Sequence, residues 1–425
     1  LRQQQNNIFA NIDWFSIILF FILVIFGWMN IYAASSTNTD GEILNFSTRY
    51  GKQLIFIILT IPLIILVLFL NSKFYEQFSS LLYLFSILVL AGVLVFGKKI
   101  NGATSWYNFG GIGLQPSEFA KAFTALALAK LMSDRQYNLK LIKNQAKAFF
   151  IIFLPAFFIA LQPDMGSVLI YFSFFFVLNR EGLTLKYFIL GTTTTVLFLL
   201  TVYFGTSLVL IGTISFSTLI LAYIIYRNKQ FLRFNWPIIL GSYVALTLFI
   251  IIVGYSYENI LKQHQKDRFD LLVGKIEDNR GIGYNTYQSE QTIKSGGFTG
   301  KGFLQGDRTQ GNFVPEQDTD YIFSTVGEEW GFLGTTLVII LFATLLYRII
   351  YLAENQTNKF SRIYGYGLAS ILFFHVVVNI GMVIGLLPTI GIPLPFFSYG
   401  GSSLWGFTLL LFIFIRLDAH KKYDY

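Results

Sequence analysis

Residues 12–33 read IDWFSIILFFILVIFGWMNIYA. After Asp13 this stretch carries no charge, and a helix needs about 20 apolar residues to cross roughly 30 Å of hydrocarbon. It is too long for the apolar core of a signal peptide, and no small-residue cleavage site follows, so it reads as a first span that stays in place. Comparable runs recur along the whole chain. Twelve candidates lie near 12–33, 53–71, 78–97, 116–133, 148–162, 166–180, 186–204, 206–226, 236–256, 320–347, 363–387 and 400–416. The fourth is the weakest, because it contains Glu118 and Lys121, and the boundary between the seventh and eighth is soft.

Composition agrees with that pattern. Of 425 residues, 54% are hydrophobic and 13% charged, where a soluble chain carries about 25% charge. The expected fold is an all-α polytopic helical bundle embedded in a membrane. It would form one domain over 1–425, interrupted by a polar loop at 257–319. No cysteine is present, which excludes a disulfide framework, a thiolate nucleophile and a Cys-based metal site. The net charge of +8 reads as a topology signal rather than as a nucleic-acid surface.

Basic residues then set the orientation. Arg135, Lys140, Lys143 and Lys147 follow the fourth run, Arg227, Lys229 and Arg233 the eighth, Arg348, Lys359 and Arg362 the tenth, and Arg416, Lys421 and Lys422 the twelfth. With a cytoplasmic N-terminus all four clusters are cytoplasmic, as the positive-inside rule requires. Both termini are then inside and the 257–319 loop is outside. Arg49, Lys52, Lys98 and Lys99 are the exceptions on the outer side.

Charges within spans are costly, about 2.5–3.5 kcal/mol each near the bilayer centre. Glu118 and Lys121 in QPSEFAK share a helix face, as a structural ion pair or as the floor of a polar cavity. Asp164 in LQPDMGS follows Pro163 and is either a helix cap or a cavity-lining acid. Glu328 and Glu329 suit structural pairing better than chemistry. Trp106 and Tyr107 would serve an interfacial belt or stack on a sugar ring, and composition favours the belt. The segment 386–403, with three prolines and three glycines, is tolerated at membrane depth only where it is buried in protein or lines a water-filled cavity. The glycine run GFTGKG (297–302) lacks the spacing of a phosphate-binding P-loop, and His264, His375 and His420 lie on separate elements, so neither suggests a nucleotide or metal site.

Four segments, in order over most of the chain, carry a family signature. They are GYNTYQSEQTIKSGGFTGKGF with NFVPEQDTDYIFSTVGEEWGFLG (within 283–334), QPSEFAK (115–121), QPDMGS (162–167) and NIGMVIGLLPTIGIPLPFFSYGGSS (379–403). Together they resemble the SEDS proteins (shape, elongation, division and sporulation), and GYN–QS, PEQDTDYIF and PTIGIPLP are similar to the elongation member more than to the division member. The resemblance implies a glycosyltransferase that joins lipid II into glycan strands at the outer face of the bacterial cytoplasmic membrane, releasing undecaprenyl pyrophosphate. Implied partners are lipid II, the growing strand, a class B penicillin-binding protein and the elongation machinery. It also implies a substrate cavity drawing on Trp106, Glu118, Lys121, Asp164, Lys294, Lys301, Glu316, Asp320 and Ser398. No resident cofactor is expected; a divalent cation such as Mg2+ on the donor pyrophosphate is compatible with that chemistry, although no ligand cluster encodes it.

Two departures from the family pattern matter. The loop signature R-x5-D-P-x-x-D-P-x-G-x-G-Y, aligned on Tyr284, puts its first aspartate at Gly274 in VGKIEDNRGIGY and its second at Asp278. The catalytic acid is therefore expected at Asp278, with Glu277 and Asp270 as substitutes. The family core also has ten spans, which makes two of the spans near 186–256 an insertion. A flippase for a lipid-linked precursor is the alternative reading, since intramembrane charges and broken helices also suit a translocation path. A scaffold that only recruits the transpeptidase would leave those charges unexplained.

Overall fold

The computed structural model describes residues 11–36, 45–100, 103–109, 112–227, 230–261, 263, 266, 270 and 283–421. Ten helices among them are long and apolar enough to cross a membrane. They include α1 (Trp14–Ser35), α2 (Arg49–Phe69), α3 (Ser72–Phe96), α5 (Ile142–Leu161), α8 (Lys186–Phe204), α9 (Thr206–Arg227) and α10 (Gln230–Tyr255). The remaining expected runs are helical too, but two fall short of a span. Helix α4 (Pro116–Ser133) has 18 residues and carries Glu118, Lys121 and Lys130, while the run near 166–180 is short, broken into α6 (Met165–Ile170), a 3-10 turn at Tyr171–Ser173 and α7 (Phe174–Arg180).

The polar loop is not bare coil. It contains α11 (Tyr284–Gly296) and the short α12 (Asp307–Gln310). The tenth run begins later than expected: residues up to Tyr321 are outside any helix, α13 (Ile322–Glu329) is a separate short helix, and the span itself is α14 (Gly331–Glu354). Gly331 makes the break, at φ +62, a left-handed conformation that glycine adopts without penalty. The last two spans are α15 (Lys359–Val383) and α16 (Gly401–His420).

The all-α bundle carries one small addition. Residues read as a loop form a three-stranded antiparallel sheet, β1 (Lys98–Ile100), β2 (Ala103–Phe109) and β3 (Ile112–Leu114), in the order β1-β2-β3. Thr104, Trp106 and Tyr107 are residues that favour strands, and β3 leads directly into α4.

By contacts the chain divides into two compact units: residues 1–183, 288–384 and 390–425, and residues 184–287 with 385–389. The second contains the three helices expected near 186–256. Its core is small, with Leu197, Val209 and Ile250 buried and Leu210, Leu246 and Phe249 packed around them. Large apolar side chains such as Leu208, Ile211 and Leu219 point outward, as lipid-facing helices require.

Within the first unit α4, α15 and α16 are the most enclosed long helices. Small residues bring them close. A side chain at Gly406 of α16 would lie 2.9 Å from the Glu118 carbonyl oxygen of α4, and one at Gly367 of α15 would touch Ala125 of α4. At one end of this unit polar pairs cluster: Arg348 with Asp13 at 2.6 Å, Arg362 with Glu181 at 3.2 Å, Lys130 with Glu76 at 3.3 Å, and Arg416 donating to the Leu70 carbonyl at 2.8 Å. The opposite end holds the loop elements. Gly406→Val should destabilise the detergent-solubilised protein by about 1–3 kcal/mol through overpacking, read as a lowered midpoint of thermal unfolding, whereas Gly212→Ala, with open space around it, should leave that midpoint unchanged.

Candidate functional site

The loop end of the first unit is assembled around the start of α4. Pro116 sits in its first turn, where a missing N–H costs nothing. Ser402 of α16 accepts from the Gln115 amide at 3.1 Å and donates to the Gly113 carbonyl at 3.0 Å. Gln115 Nε2 in turn donates to Asp164 at 2.9 Å. Asp164 is the N-cap of α6, accepting from the Ser167 amide at 3.1 Å and its hydroxyl at 2.8 Å. Asp164 therefore caps a helix, one of its two readings, and does so beside the QPSE turn.

Glu118 and Lys121 are 4% and 2% exposed. Lys121 Nζ donates to both Glu118 oxygens, at 3.0 and 2.9 Å, and lies 3.0 Å from His375 Nε2 on α15. An ammonium has no lone pair, so Nε2 accepts, and Nδ1 carries the proton that it donates to the Pro393 carbonyl at 3.2 Å. The Phe407 ring closes the group, with Lys121 Nζ 4.8 Å from its centroid and the imidazole packed edge to face. The pair is thus buried and saturated rather than an exposed cavity floor.

The loop ahead of α13 gathers acids. Asp318, 3% exposed, accepts from Arg49 at 2.6 Å, and Glu316 stands 3.7 Å from the same guanidinium. Asp320 has no hydrogen-bond partner for its carboxylate among the described residues. Burial, reinforced by the charges of Glu316, Asp318 and Asp164, pushes its carboxyl up to about 7. Its Oδ2 approaches Gly391 so closely that a side chain there would sit 3.2 Å away.

The backbone of this acid loop is tied to the segment before α16. Asn379 donates to the carbonyls of Asp320, at 2.8 Å, and Ile392, at 2.7 Å. Ser398 donates to the Thr319 carbonyl at 2.6 Å and accepts from the Leu394 amide, and the Tyr399 amide donates to the Asp318 carbonyl. Ser398 therefore holds loops together. Irregular backbone at this depth has its polar groups satisfied by protein, as it must.

A second bracing point lies nearby in the sequence. Glu328, 0% exposed, accepts from Lys301 at 2.7 Å, Ser295, the amides of Arg308 and Thr309, and the Thr309 hydroxyl. Despite burial these donors hold its carboxyl below the usual range. Adjacent Glu329, 1% exposed, is pushed up to about 7 by burial, with the Glu328 charge adding to it. The structural reading of this pair holds, and Lys301 belongs to it, also meeting Asp307 at 3.1 Å.

Other expected site residues fall elsewhere. Lys294 is exposed and pairs with Glu290 within α11. Trp106 is on β2, its ring against Gly113, where a side chain would meet it at 2.9 Å. Asp270 accepts from Tyr257 in the second unit. Gly274, Glu277 and Asp278 lie outside the described residues. Among the described residues, no three acidic or imidazole side chains are arranged to hold a metal ion. A cavity of about 580 Å³ opens at the other end of the first unit, lined by Glu76, Tyr83, Lys130 and Arg135, away from the acid loop. Sequence reasoning missed Arg49, visible only as a basic residue on the wrong side, and it missed Asn379 and the link from His375 to Lys121.

Spanning helices, a buried ammonium and an acid-rich loop over one end define a polytopic membrane protein with a polar site at its loop end. The family model FTSW_RODA_SPOVE, a cell cycle protein, matches residues 13–235 and 193–423, and the chain belongs to that family. It is 32% identical over 351 residues to the peptidoglycan glycosyltransferase MrdB of Escherichia coli (strain K12), covering 82% of this chain and 80% of the relative. The peptidoglycan glycosyltransferase RodA of Treponema pallidum (strain Nichols) is 29% identical, covering 97% of this chain and 98% of the relative. Among solved structures, a chain from a peptidoglycan synthase complex that coordinates polymerization and crosslinking superposes with a TM-score of 0.70 at 26% identity, over 97% of this chain and 99% of that one. The rod shape determining protein RodA of Thermus thermophilus gives 0.62 at 25% identity, over 97% and 98%.

The Glu329 carboxyl gives a pH prediction. Its folded pKa is raised above the unfolded value, so between about pH 4.5 and 7 the native state binds more protons and stability falls as pH rises. Glu329→Gln should flatten that decline in unfolding midpoint. Glu328→Gln has the opposite sign: it removes stability that is present above pH 4.5 and lost as pH falls through the depressed native value.

Proposed function

We propose that this chain is a peptidoglycan glycosyltransferase that joins lipid II into glycan strands at the outer face of a bacterial cytoplasmic membrane during cell elongation. Family membership and the named activity of the relatives support the reaction class. The observation that carries the site is Asp320, a carboxyl with a pKa of about 7 in an acid loop that also holds the Arg49 guanidinium.

Strand growth needs a base to take the proton from the acceptor 4-hydroxyl as its oxygen attacks the anomeric carbon of the lipid-linked donor. The bond from that carbon to the pyrophosphate oxygen breaks, and undecaprenyl pyrophosphate leaves. A carboxylate titrating near the working pH suits proton transfer, and fixed cations suit the departing charge. The family register puts its acid at Gly274, so Asp278, the second aspartate of that signature, is the base assigned in its place, with Glu277 and Asp270 as substitutes. Asp320, pushed up to about 7 as Glu329 is but lying in the acid loop with Arg49, is the described carboxyl that fits a proton-handling role. Arg49, exposed beside the acids, is the cation available to a leaving group, with the buried Lys121 as a second fixed charge of the loop end, and a divalent ion such as Mg2+ would arrive bound to the donor pyrophosphate.

The orientation follows from charge. Arg348, Arg362, Arg416 and Lys130, gathered at one end, support cytoplasmic termini and an outward acid loop. The similar chain in a peptidoglycan synthase complex supports a transpeptidase of the class B penicillin-binding type as partner.

The test is polymerisation of lipid II by purified protein, with and without that partner, in detergent or liposomes. Asp278→Ala should lower the rate about 100- to 10,000-fold, Asp320→Asn should lower it and remove a limb near pH 7 from the rate profile, and Asp270→Ala should leave it standing. Absence of polymer in every condition, together with transfer of labelled lipid II between leaflets, would move the assignment to a flippase.

A further inference from the structure

The polymerase reading uses Lys121 as a cation but does not say what fixes it. Its ammonium is 2% exposed and has two partners, Glu118 from its own helix and His375 from α15. The contact with Glu118 spans three residues of one helix and fixes no neighbour. His375 differs, because its two ring nitrogens face different elements: Nε2 accepts from Lys121 at 3.0 Å, and Nδ1 donates to the Pro393 carbonyl at 3.2 Å. One turn further along the same face of α15, Asn379 donates to the next carbonyl back, that of Ile392, and to the Asp320 carbonyl. Hydrogen bonds to the adjacent Ile392 and Pro393 carbonyls, from Asn379 and His375, thus connect the ammonium through a shared stretch of backbone to the segment that holds Asp320.

Packing alone does not call for an imidazole here. The ring meets Phe407 edge to face at 4.7 Å, a contact that any aromatic ring of similar size would keep. What only a neutral imidazole supplies at this position is an acceptor on one side and a donor on the other. Without the acceptor, one Lys121 N–H is left unsatisfied in a buried site, and an ammonium so placed moves toward another partner.

Resting on the polymerase reading for its kinetic consequence, we infer that His375 is a positioning residue that holds the Lys121 ammonium in place and registers it with the loop bearing Asp320. It touches neither substrate nor reacting atoms. Three substitutions separate the two sides of the ring. Gln places an amide where Nε2 stands and restores an acceptor for Lys121. Asn places one where Nδ1 stands and restores only a donor for Pro393. Phe keeps the packing and neither hydrogen bond.

The experiment measures lipid II polymerisation by the full chain with its transpeptidase partner, and, independently, the acetylation rate of Lys121 by an amine-reactive ester, read by mass spectrometry. For His375→Phe we expect kcat to fall on the order of 10-fold, the equivalent of about 1.4 kcal/mol, with KM unchanged, and Lys121 to be labelled about 10-fold faster. His375→Gln should recover most of both values and His375→Asn little of either. Equal behaviour of the three variants, or wild-type labelling of Lys121 in His375→Phe, overturns the inference. Failure of the wild-type protein to make polymer overturns the polymerase reading instead, and the labelling order then decides the role of His375 by itself.

Discussion

The Lys121 ammonium, 2% exposed, is accommodated inside the bundle because Glu118 and His375 both accept from it. Much of the loop end follows from that requirement. Glu118 must lie one turn back on α4, so α4 cannot be an ordinary lipid-facing span and is instead enclosed by α15 and α16. Enclosure needs small residues, and Gly406 and Gly367 provide the close approach. His375 must reach across from α15, which fixes where the Pro393 carbonyl, and hence the irregular segment before α16, can lie.

The acid loop is arranged on the opposite principle. Here burial is left uncompensated, and Asp320 responds by holding its proton to about pH 7. Asp318, 3% exposed, keeps a direct partner in Arg49. Two aspartates two residues apart thus have different environments, which is how one loop can present a charged group and a proton-exchanging group together. Glu328 and Glu329 repeat the contrast at the base of α13, the first held by five donors and the second raised by burial and the neighbouring Glu328 charge, and there the result is bracing of the glycine-rich loop rather than a site.

Legibility from sequence tracked the range of the interaction. Runs of apolar residues announced the spans, since crossing hydrocarbon constrains composition locally. The QPSE turn and the cap at Asp164 were readable because Glu118 with Lys121, and Asp164 with Ser167, are close in the chain. The sheet at 98–114 was missed because glycines and an aromatic belt outweighed a short alternation of Thr, Trp and Tyr. His375 was set aside because its partners, Lys121 and Pro393, are distant in sequence or on another element, and no local spacing signals an acceptor for a remote lysine.

By itself the sequence determined the class of the protein, the candidate runs from which its membrane-crossing helices are drawn, the family and the list of polar residues that membrane burial makes costly. The hydrophobic effect and the cost of burying charge act on composition, which is local and can be read along the chain. Only the tertiary structure decided which costly groups are matched. Lys121 is saturated by a histidine some 250 residues away in the chain, Asp318 by an arginine from α2, and Asp320 by nothing described. Pairing depends on which helices touch, and that is settled by the packing of the whole unit.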